Sequence, residues 1–339
     1  MAKAVKLADI AERVGVSTVT VSKALSGQKG VSEEVREKIR GIAEELGYQQ
    51  PSAVKKSQSQ KSYNIGILIS ERFLDKYESF YWQMYQSVAT RATAKECFTM
   101  LEVIGTAEEE SGRIPKLVQE RKVDGIIVIG KMRDGYLQHL NAEAGMPVIY
   151  LDYYNGREAS DSVISNSYYG TYELTYYLYR MGHRRIAYVG TLLATESITD
   201  RYFGYQKALL ELGLERKKEW VLEDRHIDTG KIDTVNMLQI PKDMPTAFVC
   251  NCDLTASFLI KKLTENGYRV PEDVSVVGFD NYLYPGLCDI RITTYEVDMG
   301  EMARRALHNI IKKITSDNYK AGVTVVEGRL VLKDSVSHV

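Results

Sequence analysis

The sequence predicts two parts: a small all-helical N-terminal unit, then a large α/β core built from two lobes with parallel sheets. Three observations indicate this organisation. The first 48 residues carry three apolar stripes with helical spacing. Residues 49–62 are polar and show no hydrophobic period. From Tyr63 onward, short apolar strands alternate with helix-length amphipathic segments, which is typical of parallel sheets covered by helices on both faces.

The N-terminal unit begins with a helix, a glycine turn and a second helix. The apolar stripe of the first helix is formed by Leu7, Ile10, Ala11 and Val14. Gly15 permits the left-handed turn that ends this helix, and Ser17 is expected to cap the next one. Ser32 is expected to cap a third helix, which ends before Gly47. Two helices joined by a short turn are the layout of a DNA-reading helix-turn-helix.

The second helix is expected to bury Val21, Ala24 and Leu25 and to turn polar side chains outward. The candidate base readers are Thr18, Val19 and Lys23. The candidate phosphate contacts are Ser17, Thr20 and Ser22. Val19 is of interest because its methyl groups can contact a thymine methyl group.

Composition suits a cytosolic protein, with 339 residues, 26% charged and 44% hydrophobic. Residues 1–62 hold 11 Lys and Arg against 7 Asp and Glu, although the whole chain has a net charge of −1. A basic head on an acidic body suits DNA binding through a few placed phosphate contacts. No apolar leader and no run of 18 apolar residues occurs, so neither secretion nor membrane insertion is expected. The four cysteines lack metal-ligand spacing and no glycine-rich phosphate loop occurs, so no metal or cofactor is expected.

The order of residues in the N-terminal unit is specific. Its distinctive segments are Asp9-Ile10-Ala11, Gly15-Val16-Ser17, Thr20-Val21-Ser22-Lys23, Val31-Ser32 and Leu46-Gly47-Tyr48. These segments closely resemble the headpiece of the LacI/GalR family of bacterial repressors. The resemblance covers essentially the whole chain. It implies a periplasmic-binding-protein-like core, a homodimer on near-palindromic double-stranded operator DNA, and a small-molecule effector.

The expected domains are a helix-turn-helix domain at 1–48, a hinge at 49–62 and an effector-binding and dimerisation core at 63–339. Lobe 1 is expected at about 63–165 and 294–325, and lobe 2 at about 166–293 and 326–339. The strands of the core are expected at Asn64–Ser70, Phe98–Gly105, Gly125–Gly130, Pro147–Asp152, Arg185–Thr191, Thr246–Asn251 and Val274–Asp280. Helices are expected around Phe80–Ala94, Ile114–Arg121, Tyr168–Met181, Arg201–Leu212, Asp253–Asn266 and Met299–Ile314. Two final strands, Val323–Val326 and Gly328–Leu332, are expected to complete both sheets.

The hinge departs from the family pattern. In the resembled family this segment holds a short helix that inserts a leucine into the minor groove and kinks the duplex. Ser57 occupies the leucine position here. Val54 is therefore the candidate wedge and Lys55 a candidate phosphate contact. A flexible tether, with lysines that hold phosphates, is the alternative.

Candidate effector contacts follow the strands of the core, because ligands of open parallel sheets bind at the carboxyl ends of strands. Asp152 and Asp280 each end a strand, and either carboxylate can accept hydrogen bonds from sugar hydroxyls. Arg201 is expected to open a helix and matches the arginine that commonly holds the effector in the family. Phe80 and Tyr81 match the aromatic pair of the family, and Tyr81 is the preferred contact.

Other residues of the core leave alternatives open. A strand-end aspartate can instead cap a turn, and a helical arginine can simply pair with a carboxylate. Cys252 stands where relatives often carry a hydrogen-bonding asparagine, and a thiol is a poor donor. His226 falls near a position that is often aromatic in relatives; we interpret it as a loop histidine, with a pocket role as the alternative. The tyrosines of the helix around 168–181 are interpreted as lobe packing, with Tyr168 or Tyr169 at the cleft mouth as the alternative.

The helix-turn-helix predicts a sequence-specific DNA-binding transcriptional regulator, and the resemblance to the LacI/GalR family implies a repressor of carbohydrate-utilisation genes. A small ligand, expected to be a sugar, would bind in the cleft between the lobes and shift the population between two states. Repression relieved by a sugar is the commoner behaviour in the resembled family, and a corepressor acting in the opposite direction is the physically equivalent alternative. A dimer is expected because no C-terminal leucine heptad follows the last strand. The competing class is a sugar-binding module or a sugar enzyme, and catalysis is not expected because no acid, base or nucleophile pair is recognisable.

Overall fold

The computed structural model describes residues 5–26, 28–48, 62–74, 79–155, 161–283 and 286–339. The chain divides into two units, residues 1–61 and residues 62–339. The candidate hinge contacts Val54 and Lys55, together with Ser57, lie outside the described residues.

The first unit contains three helices, α1 (Leu7–Val14), α2 (Thr18–Leu25) and α3 (Glu33–Glu45). They share one core, formed by the buried side chains of Ile10, Ala11, Val21, Ala24, Ile39 and Ala43. Gly15 follows α1 with a φ of +80°, which is the left-handed turn that a glycine tolerates. Ser32 holds the backbone geometry of an N-cap, but its side chain makes no hydrogen bond to α3, so the expected side-chain cap is wrong. The negative charges of Glu33 and Glu34 support this helix end instead.

In chain order, the second unit contains β1 (Asn64–Ser70), α4 (Phe80–Thr93), β2 (Phe98–Ile104), α5 (Thr106–Ser111), α6 (Lys116–Gln119), β3 (Gly125–Ile129), α7 (Asp134–Glu143), β4 (Val148–Leu151), β5 (Ser162–Ser165), α8 (Ser167–Arg180), β6 (Ile186–Val189), α9 (Glu196–Glu211), β7 (Val221–Leu222), β8 (Ala247–Cys250), α10 (Asp253–Glu265), β9 (Ser275–Asp280), β10 (Thr293–Glu296), α11 (Met299–Thr315), β11 (Val323–Val326) and β12 (Arg329–Val331). Short 3-10 turns lie at Glu71–Phe73 and Lys218–Trp220.

The strands form two six-stranded sheets. The sheet of lobe 1 has the order β11-β5-β4-β3-β1-β2 and is parallel throughout. The sheet of lobe 2 has the order β12-β10-β9-β8-β6-β7, and only the edge strand β12 runs antiparallel to its neighbour. The chain passes between the lobes three times, from β5 to α8, from β10 to α11 and from β11 to β12.

The second of these passages lies a few residues later than the lobe boundary expected near residue 294. Strand β10 belongs to lobe 2, because Thr293 pairs in parallel with Val277 of β9 and both Thr293 and Thr294 are buried there. The chain therefore enters lobe 1 after Glu296 rather than before β10. Val326 still belongs to the sheet of lobe 1.

Helices cover these sheets as parallel packing requires. β1 is buried from Ile65 to Ser70 and β3 along its whole length, which fits strands covered on both faces. Helix α11 packs on β3, β4, β5 and α4, whereas α8 packs on α9 and on the sheet of lobe 2. None of the described helices combines the length and apolar character needed to cross a membrane.

Helix α8 corrects the expectation for the tyrosines. Its buried face consists of Ser167, Gly170, Thr171, Leu174, Thr175 and Leu178. Tyr168, Tyr169 and Tyr176 are 40–45% exposed, so these rings do not pack the lobe. The small residues explain the difference, because Gly170 lies so close to Tyr295 that a side chain there would clash. The rings of Tyr169, Tyr172 and Tyr176 instead stack along the outer face.

Candidate functional site

The outer face of α2 carries the candidate DNA contacts of the first unit. Val19 is 61% exposed, and Thr18, Ser22 and Lys23 are also exposed. An apolar side chain so far from the core of its own unit is available to a partner surface. This helix therefore presents two hydroxyls, one amine and one pair of methyl groups together.

The start of α2 is held by a side-chain cap. The backbone N–H of Thr20 donates to Ser17 Oγ over 3.1 Å, and the two hydroxyl oxygens lie 2.9 Å apart. Arg36, which we did not single out in the sequence, supports the other end of α2: its guanidinium is buried and donates to the carbonyl oxygens of Ala24 and Gln28. Its spacing of three residues before Ile39 on α3 placed it on the buried stripe.

A cleft of about 330 Å³ lies between the lobes of the second unit. All five candidate effector contacts line it, namely Tyr81, Asp152, Arg201, Cys252 and Asp280. Lobe 1 contributes Tyr81 and Asp152, while lobe 2 contributes the other three. Side chains from two separate sheets thus meet at one cavity.

Both aspartates occupy left-handed backbone at the carboxyl end of a strand. Asp152 follows β4 with a φ of +60°, and Asp280 ends β9 with a φ of +100°. This conformation is uncommon outside glycine, and residues held in it cluster at binding sites. The turn of the backbone at each strand end brings the carboxylate to the cleft.

Arg201 forms the centre of the polar wall. It lies within α9, which begins earlier than expected because Thr195 caps the helix and accepts a hydrogen bond from the N–H of Ile198. Its Nη2 donates to Asp280 Oδ1 at 3.1 Å, and Nη1 donates to the carbonyl of Asn251 at 2.5 Å. The guanidinium also lies 3.8 Å from the ring centroid of Phe279. These contacts fix the orientation of a charge that is 5% exposed.

Burial changes the acidity of the two carboxyl groups. Desolvation raises the pKa of Asp152 to about 6, against the opposing effects of Arg201 and Tyr81. Desolvation likewise raises the pKa of Asp280 to about 7, and the positive charge of Arg201 again opposes the increase. Near neutral pH the pair can therefore hold a proton that isolated aspartates would release.

Aromatic rings form the opposite wall. The hydroxyl of Tyr81 donates to Asp152 Oδ2 at 2.9 Å, and the Tyr81 ring lies 4.6 Å from that of Phe73. Phe80 packs edge-on against Tyr81 at 5.5 Å and against Tyr282 of lobe 2 at 6.2 Å. The cleft thus combines flat apolar faces with polar groups that converge at one end, as ligand pockets do.

Arg225 is a cleft residue that our sequence reasoning missed. Its guanidinium donates to both carboxylate oxygens of Asp224 and to Asn251 Oδ1, and lies 3.7 Å from Cys252 Sγ. The Cys252 sulfur in turn accepts from the N–H of Thr255 and caps α10. Burial raises the pKa of the Cys252 thiol.

His226 does not line this cleft. It borders a second cavity with Glu223 and Asp228, and its Nε2 lies 3.3 Å from Asp233 Oδ2. The interpretation of His226 as a loop histidine agrees with this position. In the sequence, only the family's aromatic position drew attention to this loop, and it pointed to His226. The residue that lines the cleft is the preceding one, Arg225.

Among the described residues, at least three contacts join the lobes around the cleft. Lys131 of lobe 1 forms an ion pair with Glu196 of α9 at 2.9 Å, and the hydroxyl of Tyr154 donates to Asp200 at 2.9 Å. The third is the contact of Phe80 with Tyr282. Within the described ranges, no group of three or more histidine, cysteine or carboxylate side chains is placed to hold a metal ion.

Comparison with known proteins agrees with both units. Residues 6–51 match the bacterial regulatory proteins of the lacI family, and residues 175–336 match the periplasmic binding protein-like domain. The HTH-type transcriptional repressor PurR of Glaesserella parasuis serovar 5 is 30% identical over 320 residues, which cover 91% of this chain and 90% of the relative. PurR of Mannheimia succiniciproducens is 27% identical over 341 residues and covers 98% of each chain.

Solved structures show the same fold. The regulator CelR in complex with cellobiose superposes with a TM-score of 0.68 at 23% identity, covering 98% of this chain and 99% of that chain. The Lac repressor dimer bound to operator and the anti-inducer ONPF gives 0.67 at 23% identity, covering 99% and 100%. The sequence relatives are transcriptional repressors rather than enzymes. This chain therefore belongs to the lacI family of bacterial regulatory proteins and is a DNA-binding transcriptional repressor of that family.

Proposed function

We propose that this repressor controls carbohydrate-utilisation genes and that a sugar bound in the cleft between its lobes controls its affinity for operator DNA. The observation that carries the proposal is the meeting of Tyr81 and Asp152 from lobe 1 with Arg201 and Asp280 from lobe 2. Carboxylates accept hydrogen bonds from hydroxyl groups, and a guanidinium fork donates to hydroxyl oxygens. A polyol can therefore engage both lobes at once.

A ligand that contacts both lobes can act as a switch. It stabilises the arrangement of the lobes in which its contacts are best, and it shifts the equilibrium only by its difference in affinity for the two arrangements. In a homodimer, a change within each core alters the spacing of the two α2 helices over a near-palindromic operator. The existing contacts across the cleft, such as Lys131 with Glu196, would be made or broken in the same step.

For the DNA contacts, we propose that Thr18, Val19 and Lys23 read bases. Ser17, Thr20 and Ser22 are proposed to bind phosphates. The exposure of Val19 supports its role, since an apolar side chain on a DNA-facing helix can recognise a thymine methyl group. The hinge residues Val54 and Lys55 remain proposed contacts of the same kind.

Two structural neighbours support a sugar as effector. One is the CelR complex with cellobiose, and another is a LacI family regulator from Enterococcus faecium with bound ribose, which has a TM-score of 0.65 at 20% identity and covers 81% of this chain and 99% of that chain. The aromatic wall of Phe73 and Tyr81 also favours a second candidate, a nucleobase, because flat rings stack on aromatic faces. The curated relatives that share the name PurR make this candidate worth testing.

The test is selection of bound sites from random duplex DNA by the full-length protein near physiological salt, repeated with pooled sugars and with pooled nucleobases. We expect an enriched near-palindrome whose recovery changes with the sugar pool. Recovery that changes only with the nucleobase pool would replace the sugar with a base as effector. An enriched site that no pool affects would refute ligand control.

The matched variants for this test are Val19→Asp and Val235→Asp. Both valines are strongly exposed, at 61% and 81%, but Val235 belongs to lobe 2 of the second unit and not to α2. We expect Val19→Asp to abolish enrichment, because a carboxylate is repelled by phosphates. Equal loss in both variants would show that the effect is not specific to α2.

A further inference from the structure

The loop after β7 brings a second positive group to the cleft beside Arg225. Arg225 forms an antiparallel bridge with Ile232, and the N–H of His226 donates to the carbonyl of Lys231 at 2.9 Å. The loop therefore folds back on itself, so that Lys231 lies opposite His226 and next to the Arg225–Ile232 bridge, although five residues separate Lys231 from Arg225 in sequence. Both Arg225 and Lys231 line the cleft.

The hydrogen-bonding capacity of Arg225 is only partly used. Its Nε and Nη2 point to Asp224 and Asn251, but Nη1 donates to no described residue. Asp224 is completely buried and also accepts from Thr191 and Thr255, so it holds the guanidinium in one orientation from behind. The unused edge of Arg225 is thus a fixed donor at the cavity surface.

Two further cationic side chains of the cleft also have a nitrogen that donates to no described residue. The amine of Lys231 makes no ion pair within the described part of the chain, and this side chain is exposed. Arg72, which lines the cleft from lobe 1, has a buried Nε without a hydrogen-bond acceptor among the described residues. One buried donor on lobe 1 and two cleft donors on lobe 2 that no described residue accepts from are therefore available to a ligand.

The charges of the lining side chains point the same way. Arg201 pairs with Asp280, Arg225 pairs with the buried Asp224, and Arg72 lies 3.8 Å from Glu109. Lys231, the fourth cationic side chain of the lining, has no ion pair among the described residues. Burial raises the pKa of the cleft carboxyl groups of Asp152 and Asp280, so their negative charge is weakened near neutral pH. A hydroxyl oxygen of a neutral sugar accepts from these donors but leaves the charge of Lys231 unbalanced, whereas an anionic group does both.

We propose that the effector carries an anionic group, a phosphate or a carboxylate on the sugar, and that Arg225 and Lys231 bind this group while Arg201, Asp152 and Asp280 bind the hydroxyls. This inference rests on the proposed function, because it assigns the chemical class of the ligand in the same cleft. Sugar phosphates and sugar acids share the recognised chemistry.

The test uses inorganic phosphate as the probe and the thermal unfolding of the full-length protein as the readout, with sodium chloride holding the ionic strength constant. We expect a saturable rise in the unfolding temperature of the wild-type core. Lys231→Gln should weaken the apparent phosphate affinity about tenfold or more. Arg225→Lys should retain part of it, because the charge remains beside Asp224 while the fork is lost.

Lys242→Gln is the matched control, because Lys242 is an exposed lysine of lobe 2 that does not line the cleft. It should behave as the wild type does. No saturable rise in the wild type, or an equal change in Lys231→Gln and Lys242→Gln, would overturn the anion site. Competition by glucose 6-phosphate or by glucuronate, each compared with glucose, then distinguishes the two sources of the anionic group.

Failure of the inference and failure of the proposed function are separate outcomes. A neutral sugar that alters operator binding equally in the wild type and in Lys231→Gln would overturn the anion site and leave sugar control intact. Operator binding that no ligand alters would refute ligand control. Phosphate binding is measured without DNA, so that result would not decide whether the anion site exists.

Discussion

At the scale of single residues, the proposed contact of Arg201 with the effector can be tested by one substitution. The contacts of Arg201 with Asp280 and Asn251 leave the guanidinium only one orientation. Arg201→Lys keeps the charge but loses the planar fork. We expect the ligand concentration that gives half-maximal change in operator binding to rise about tenfold or more. Fluorescence anisotropy with labelled operator measures this, and operator affinity without ligand should stay unchanged.

Arg216→Lys is the control for this prediction, because Arg216 is exposed on the same lobe and outside the cleft. Equal ligand responses in the two variants would show that the fork of Arg201 does not bind the effector.

The raised pKa values of the cleft carboxyl groups predict a pH dependence of stability. The pKa of Asp280 is raised to about 7 by burial, so the folded protein retains a proton that the unfolded chain loses near pH 4. The stability from this group is complete below the unfolded pKa and is lost as pH rises through the folded one. Asp280→Asn removes the titration, so the variant should lose less stability than the wild type between pH 5 and pH 8.

The expected difference is about 1–3 kcal/mol in the free energy of unfolding, measured by denaturant unfolding of the core at pH 5, 6, 7 and 8. Any constant offset from the altered pairing of Arg201 cancels, because only the change with pH is compared. Parallel profiles for the two proteins would contradict the prediction.

Residue positions were predictable where the strand pattern fixes them and not where a loop does. Asp152 and Asp280 follow apolar strands, so the sequence alone places them at the cleft. Arg225 and His226 are adjacent in a loop, and only the bridge of Arg225 with Ile232 decides which of them faces the cleft. That bridge depends on tertiary packing, which local periodicity does not encode.

At the scale of elements, α2 and α3 allow a direct comparison of two helix caps. Ser17 accepts a hydrogen bond from the N–H of Thr20, whereas the side chain of Ser32 makes no such bond. Ser17→Ala should therefore destabilise the start of α2 by about 1 kcal/mol, and Ser32→Ala should have a much smaller effect on α3. Amide hydrogen exchange on the full-length protein measures the local opening of each helix.

Faster exchange is expected for the first turns of α2 in Ser17→Ala, with weaker operator binding. If Ser32→Ala accelerates exchange in α3 to the same extent, the hydrogen bond of Ser17 is not the source of the stabilisation.

Among the described helices and strands, five were missed, and four of them are either short or polar. The fifth, α7, is a ten-residue helix whose buried Tyr136, Leu137 and Leu140 have helical spacing. Strands β5 and β10 contain serine and threonine at buried positions, and they are strands because they pair with β4 and β9 rather than because they are apolar. Strand β7 has two residues, and α5 only six. Long apolar strands such as β1 and β3 were predicted within a residue, since burial on both faces leaves a continuous apolar run.

At the scale of the whole molecule, the uneven distribution of charge predicts how DNA binding responds to salt. The basic residues lie in excess in residues 1–62, and the rest of the chain is acidic. Binding through phosphates releases counterions, so operator affinity should fall by at least about 100-fold between 50 mM and 200 mM salt. Anisotropy titrations over this range provide the slope.

Ligand binding to the core should depend much less on salt if the ligand is a neutral sugar, and moderately if it is anionic. Operator affinity that does not vary with salt would contradict phosphate contacts as the main source of binding.

The three passages of the chain between the lobes determine how the core responds to proteolytic cleavage and to truncation. Neither lobe is one continuous stretch of sequence, because β11 returns to lobe 1 after lobe 2 has been built and β12 then returns to lobe 2. A protease that nicks one passage leaves the other two intact, so the halves stay tethered. Conversely, removing residues from either end of the chain cannot leave one complete lobe without the other, because each sheet contains strands from separate segments.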